Sequence, residues 1–516
     1  MTQRPNIIIV TSDQQRKDTL GCYGARYADT PNLDRLAENG IVCERAYCTN
    51  PVCSPSRVSL FTGQSVGRHG CWNIGVNTPQ DTVTIAHRLR NAGYRSHYIG
   101  KIHFQAWHSP PEHSREHCWH IVPGSKPNPR PPQPLFSGPY YGFETIEWAS
   151  GHTRMGLTGH YGEWVRGQVD EQQFASFARL HKITGASFGA EACDWDLPHH
   201  LHNSVWTADR TIEFLQRHDA SQPFLLAVGF QDPHHPHALP KDFANRVTPD
   251  QTPIPSFQKG ELLDKPPHFA QAQKGEYCYQ GEDDTTIDNR LMGQLNGFDY
   301  SSVSIDDARL SRSYYYSMVN LMDEQLGRIF ACLDKQGLAG NTIIIFTTDH
   351  GELLGDHGLW LKGPFHYEQL INVPLIIRWP DAKAKRVNSL VSLADIAPTL
   401  LRRSGVAFGD RELDGVSQLP VIRGDADSVR RSLLVECVDN ERDLRLKTIV
   451  TKDRKLTWYH GRKYGELYHL DTDPNEITNL WDEPDCCAER AQLLSELLGN
   501  LECLEFDRRG SRMGPA

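Results

Sequence analysis

Four short apolar runs, each breaking off into polar residues, constrain this chain more than any other feature. "NIIIV" (Asn6 to Val10) leads into Thr11-Ser12-Asp13-Gln14, and "YRSHYIG" (Tyr94 to Gly100) into Lys101-Ile102-His103. "PFLLAVGF" (Pro223 to Phe230) leads into Gln231-Asp232-Pro233-His234, and "NTIIIF" (Asn341 to Phe346) into Thr347-Thr348-Asp349-His350. Short runs this rich in β-branched residues read as strands buried on both faces. Helical patterns separate them: "TPNLDRLAENG" (Thr30 to Gly40), "TVTIAHRLRNAG" (Thr82 to Gly93) and a long one from Tyr314 to Gly337. The first is bracketed by a capping Thr, an early Pro and a closing Gly. This alternation predicts an α/β fold, a large mostly parallel sheet sandwiched by helices. Sites on such sheets form beyond the carboxyl ends of the strands. All four polar clusters lie at that edge, so residues far apart in sequence are predicted to converge.

Two stretches interrupt the pattern. Residues 105–165, with "SKPNPRPPQPLFSGPYYGF", are rich in Pro, His and aromatics, and residues 245–310 contain the acidic "QGEDDTTIDN". The first reads either as long loops beside the site or as a surface excursion. After about residue 430 the character changes: "RSLLVEC", "LKTIVTKDRKLTWYH" and "YGELYHLDTDPNE" read as antiparallel strands, and "CAERAQLLSELLGNL" as an amphipathic helix. The expected division is a catalytic domain over 1–430 and a smaller C-terminal α+β subdomain over 431–516.

At 516 residues, the chain is too long for one small core. A 39% hydrophobic, 23% charged composition excludes a disordered chain or a fibre. With a net charge of −10 and no basic block, nucleic acid is not an expected partner. No stretch is apolar enough to span a bilayer, so no membrane partner is expected either. "MTQRPNIIIV" lacks the pattern of a signal peptide, which points to a cytoplasmic protein, or a periplasmic or secreted one if a leader was trimmed. Thirteen cysteines in no regular framework read as free thiols in a reducing compartment. A homo-oligomer is left open.

"TNPVCSPSRVSLFTGQ" (Thr49 to Gln64) places Cys53 at a helix N-terminus, with Pro55 in the first turn. Dipole and free N–H groups there favour an anion. Cys53 could be a buried thiol, a thiolate nucleophile or the precursor of a modified residue. Arg57, one turn on, faces the same spot. Asp13 and Asp349 each follow a strand, and two hard carboxylates at one sheet edge suit an oxygen-liganded cation.

"CSPSR" resembles the Cys-x-Pro-Ser-Arg signature of type I sulfatases, of the alkaline phosphatase superfamily. "SDQQRKDTLGCYG", "TPNLDRLAENG", "GKIH", "DPHHPH", "TTDHGELLGDHGLWLKG" and "GELYHLDTDPNE" resemble sulfatase segments in the same order. The likeness covers roughly residues 5–400 and extends more loosely beyond. It implies an alkaline phosphatase-like fold and a sulfate monoester substrate, on a carbohydrate or aryl alcohol. It further implies that an activating enzyme oxidises Cys53 to formylglycine. The hydrated aldehyde has two hydroxyls: one attacks sulfur, and the other lets the resulting ester collapse to free sulfate, which a plain Ser or Cys cannot do.

By the same resemblance, Asp13, Gln14, Asp349, His350 and modified Cys53 hold one divalent metal. Arg57 holds the nucleophile and the metal-side oxygens. Lys101 and His103 contact sulfate and the aldehyde hydroxyls, with His103 the base for collapse. His234 and Lys362 meet the bridging oxygen, and Asn73 is a further sulfate contact. His235 and His237 read as loop residues.

Three departures matter. Many sulfatases carry Asp where this chain has Gln14 and Asn where it has His350. Two carboxylates and an imidazole leave calcium and manganese both open, and this pair also resembles phosphonate monoester hydrolases. Those hydrolases carry neutral hydroxyl residues in place of Lys101 and His103, so here the chain sides with sulfatases. Gln64 stands where activating enzymes favour Arg. Sulfate hydrolysis is therefore the expected activity, ahead of phosphonate monoester or phosphodiester hydrolysis, and of a non-catalytic metal- and glycan-binding role.

Overall fold

The structure, a computed structural model, describes residues 4–107, 114–116, 135–186, 189–219, 221–276, 299–409, 412–440 and 442–506. Residues 108–113 and 117–134 of the Pro-rich excursion and 277–298 of the second, the acidic "QGEDDTTIDN" included, lie outside the described residues.

Among these, nine strands make one sheet: β1 (Asn6–Ser12), β2 (Ile41–Tyr47), β3 (Arg95–Lys101), β4 (Thr145–Ala149), β7 (Phe224–Gly229), β9 (Thr342–Thr348), β10 (Asn372–Val373), β11 (Leu375–Arg378) and β12 (Lys385–Ser392). A small separate sheet holds β5 (Leu180–Lys182), β6 (Ala192–Trp195) and β8 (His237–Pro240). In the large sheet β4, β3, β7, β1 and β9 lie side by side and all parallel. β11 runs antiparallel between β9 and β2. All four apolar runs are strands of the parallel block, as the sequence predicts.

Alternate side chains show why these runs carry no polar face. Ile7, Ile9, Ile343 and Ile345 enter one core layer, while Ile8, Val10, Ile344 and Phe346 enter the layer on the opposite face. Both faces are covered, so both must be apolar. Where β3 and β7 end, Gly100 faces Gly229, and a Cβ on Gly100 would overlap the Gly229 carbonyl. Only glycine permits this approach, and it sets Lys101 beside the loop that follows β7.

Helix α1 (Pro31–Glu38) and helix α2 (Cys53–Thr62) form where expected. Every residue of α2 is buried, and Gly63, at φ 70°, closes it. The long helix starts at Ile305 rather than Tyr314 and runs to Lys335. Ser304 caps it by accepting from the Asp307 N–H, with Asp306 and Asp307 in the first turn. That capping pattern lay at the end of a stretch read as irregular.

The C-terminal part is a four-stranded antiparallel sheet of β13 (Leu433–Asp439), β14 (Leu444–Val450), β15 (Arg454–Tyr459) and β16 (Gly465–His469), followed by a helix over Cys487–Phe506. Leu493 and Leu497 of that helix pack with Ile449, Leu456, Leu467 and Trp481. Among the described residues no helix is long and apolar enough to cross a membrane.

One buried ion network fixes the loops that follow β1 and β9. Asp356 lies 2.7 Å from Arg16 Nη1 and 2.6 Å from Arg312 Nη2. Arg16 also donates to the Leu353 carbonyl at 3.0 Å. Burial opposes ionisation of Asp356, but Arg16 and Arg312 override it and bring the carboxyl to about 2. Asp356→Asn leaves two buried guanidinium groups short of charge and is expected to cost about 3–5 kcal/mol in urea unfolding. Because the folded value is depressed, this stabilisation is complete above the unfolded value near ~4. It is lost as pH falls through about 2, so variant and parent should converge in acid.

Candidate active site

The five parallel strands deliver their polar residues to one edge. Taken across the sheet, β4 leads to His152, β3 to Lys101 and His103, β7 to His234, β1 to Asp13 and Gln14, and β9 to Asp349 and His350. Cys53 enters from the N-terminus of α2, and Lys362 from the loop after β9.

Arg57 binds the carboxylates rather than the thiol. Its Nε donates to Asp349 Oδ2 at 2.8 Å, and Nη2 lies 3.4 Å from Asp13 Oδ2. Nη1 donates to the Lys101 carbonyl at 2.9 Å and Nη2 to that of Ser12 at 3.2 Å. One side chain therefore ties the ends of β1, β3 and β9 together. Burial works against the Asp349 charge, yet Arg57, then His350 and the two lysines, hold it well below the usual carboxylate range. Burial and then the Asp349 charge push Asp13 up, with Lys101 in close contact pulling it back.

Around Cys53 Sγ stand Lys362 Nζ at 3.0 Å, His350 Nε2 at 3.1 Å, Asp13 Oδ1 at 3.6 Å and Lys101 Nζ at 3.9 Å. Burial, then the Asp13 charge, pushes the thiol up to about 11. Asp13, Cys53, Asp349 and His350 each offer a ligand atom, all within 4.8 Å of one another. His350 Nδ1 lies 2.8 Å from the Gly351 carbonyl, which fixes the proton there and leaves Nε2 with a lone pair. Burial holds this imidazole at about 3, hence neutral. Such a donor set can hold a divalent cation.

Gln14 sits in the left-handed region, at φ 59°. Its Nε2 donates to the buried Glu352 carboxylate and lies 3.2 Å from His235 Nδ1, while its Oε1 accepts from Lys362 at 2.7 Å. Glu352, which also accepts from the Leu354 and Leu361 N–H groups, thus turns the amide oxygen of Gln14 into the site.

Two lysine–histidine pairs flank the nucleophile position. Lys362 Nζ is 2.9 Å from His234 Nε2, and Lys101 Nζ is 2.9 Å from His152 Nε2. The His152 and His234 rings stack at 3.4 Å and 4°, and His235 stacks on His234 at 4.2 Å. His103 stacks on Trp107 at 3.8 Å. Burial first, then the lysine charges, depresses His103, His152 and His235 well below the ordinary imidazole value, and burial, then the neighbouring His152, does the same to His234. His152 and His234 are therefore neutral acceptors for the lysine protons.

Placement differs from expectation in three respects. Asn73 is not brought to the cluster: its Nδ2 donates to the Val438 carbonyl at 3.2 Å and its Oδ1 accepts from the Ile74 N–H at 2.8 Å. That amide is consumed in joining its own turn to β13. His235 is part of the site wall rather than a plain loop residue, whereas His237 lies in β8 with Nδ1 2.8 Å from Ser311 Oγ. His152 and Glu352 escaped the sequence reading. The signal for His152 was present, since "TIEWASGH" repeats the strand-then-polar pattern inside the stretch read as irregular.

The family model "Sulfatase" matches residues 5–406, and "N-sulphoglucosamine sulphohydrolase, C-terminal" matches 355–502. An arylsulfatase of Clostridium perfringens is 28% identical over 511 residues, spanning 96% of this chain and 94% of that protein. An N-acetylglucosamine-6-O-sulfatase of Bacteroides thetaiotaomicron is 25% identical, spanning 96% of this chain and 86% of its own. The phosphonate monoester hydrolase structure of Agrobacterium radiobacter superposes with a TM-score of 0.74 at 24% identity, covering 97% of this chain and 96% of that one. The chain belongs to the sulfatase family of sulfuric ester hydrolases.

Proposed function

We propose that this enzyme hydrolyses sulfate monoesters of saccharide or aryl alcohols, using formylglycine made from Cys53 by an activating enzyme and one divalent cation, calcium or manganese. The observation that carries this reading is the convergence of two lysines and three further metal-ligand side chains on the Cys53 sulfur. That sulfur marks where the aldehyde hydrate would stand, and its two hydroxyls supply attack and release. Asp13, Gln14, Asp349 and His350 would hold the cation, and when bound it would supply Lewis-acid polarisation of the sulfate group and of the nucleophile. Lys101 and Lys362 meet the negative charge that develops on sulfate and on the leaving oxygen. His234, sharing a hydrogen with Lys362, can relay a proton to the departing alcohol. His103, a neutral buried imidazole, is the proton acceptor for release. A saccharide alcohol is supported by the relative named for N-acetylglucosamine 6-O-sulfate.

Phosphonate monoester or phosphodiester hydrolysis is the second reading, favoured by one observation: both Gln14 and His350 belong to the site cluster. Lys101 weighs against it, since it lies against Asp13 and beside Sγ, where phosphonate hydrolases carry neutral hydroxyl residues. With one aryl leaving group on both headgroups, kcat/KM is expected to be higher for the sulfate, with weaker phosphoester turnover persisting. A clear preference for the phosphonate would reverse the assignment.

A further inference from the structure

We propose that Glu116 is a positioning residue for the reaction: its carboxylate holds the backbone of residues 103–105 and thereby aims the His103 ring at the nucleophile. This rests on the role of His103 in the reading above.

Three consecutive N–H groups converge on this one side chain. His103 N–H donates to Oε2 at 2.7 Å, and Phe104 and Gln105 N–H donate to Oε1 at 2.8 and 3.2 Å. Tyr140 Oη adds a fourth donor to Oε1 at 2.8 Å. A run of backbone N–H groups bent towards one point is an anion cradle, and here the anion is internal. The contact is locked from the other side, because Gln105 Oε1 accepts the Arg115 N–H at 2.7 Å. Burial pushes Glu116 up to about 7, against the hydrogen bonds from Tyr140 and the three N–H groups.

The clamp falls on a strained residue. His103 has φ 61°, a conformation that a side chain with a Cβ adopts only when its surroundings impose it. Its ring is buried, stacked on Trp107, and neither ring nitrogen has a hydrogen-bond partner among the described residues. Among the described residues no hydrogen bond fixes the ring beside that stack, so its orientation is inherited from the backbone that Glu116 grips. Without the carboxylate, three buried N–H groups lose their acceptor and the left-handed turn loses its reason to persist.

The test is a double-mutant cycle of Glu116→Gln and His103→Ala on an aryl sulfate, in enzyme of matched formylglycine and metal content. Glu116→Gln should lower kcat about 100-fold with KM little changed. Added to His103→Ala it should lower kcat no further, since both act through one ring. Tyr140→Phe, which removes one donor and keeps the carboxylate, should show a smaller loss in the same direction. The ring 15N shifts of His103 should move in Glu116→Gln. Losses that multiply across the cycle, or an unchanged kcat, would overturn the proposal. If the parent turns over no ester, the functional reading fails instead, and unchanged His103 ring shifts in Glu116→Gln would then overturn the positioning role by itself.

Discussion

Replacing Cys53 by alanine is expected to lower sulfate-ester turnover by about 10⁴-fold or more while the protein still folds. Cys53 is the first residue of α2, and alanine is at least as good a helix former there. Its loss removes the sulfur that sits between Lys362, His350 and Asp13 but no backbone bond of the helix. What goes is the atom on which both lysines, Asp13 and His350 converge. Cys53→Ser should be no better, because one hydroxyl gives attack without the second that releases sulfate. Peptide mass spectrometry of active protein should find the aldehyde in place of the thiol. An intact thiol in fully active enzyme would end this account of the nucleophile.

Asp349→Ala is expected to lose both the bound metal and the activity, and unlike the change at Cys53 it should also destabilise the fold. Asp349 Oδ1 accepts the N–H groups of Gln14 at 3.0 Å and His350 at 2.9 Å, while Oδ2 meets Arg57 Nε at 2.8 Å. Two ligand-bearing turns and the buried guanidinium therefore lose one shared acceptor. Removing one partner of a fully buried ion pair costs about 3–5 kcal/mol, here with Asp13 as partial compensation. Elemental analysis of the purified variant should show metal well below one equivalent, and the thermal midpoint should fall. Full metal content with full turnover, or full turnover of the parent after exhaustive chelation, would remove Asp349 from the ligand set.

The sequence reading reached the parallel block and most of the residues gathered at its edge for one reason. A strand buried on both faces has no polar positions to blur it, and its first polar residue marks the carboxyl end. Asp13, Lys101, His234 and Asp349 all stand at or just past that break. β4 obeys the same rule, but its five residues lie amid Pro and aromatic punctuation, and His152 went with it. Glu352 was invisible for another reason, because its role is to turn the Gln14 amide, a contact made across 338 residues. Asn73 went the other way. It was named from its segment alone, and its amide is spent on Val438, a partner in β13 that no local pattern announces.

The apolar interior takes no notice of the expected boundary near residue 430. Leu433 and Val435 of β13, Val450 of β14 and Tyr468 of β16 belong to the same buried cluster as Ile7, Ile343 and Leu375 of the large sheet. Polar seams repeat this: β13 Glu436 N–H donates to the Thr49 carbonyl at 2.8 Å, four residues before Cys53, and Lys455 of β15 reaches Glu368 at 3.1 Å. Cutting the chain ahead of Leu433 would therefore open a face of the catalytic layer rather than release an independent appendage. The two sheets should melt together in a single cooperative step, so a substitution deep in the C-terminal sheet can silence the enzyme without touching any group that meets the substrate.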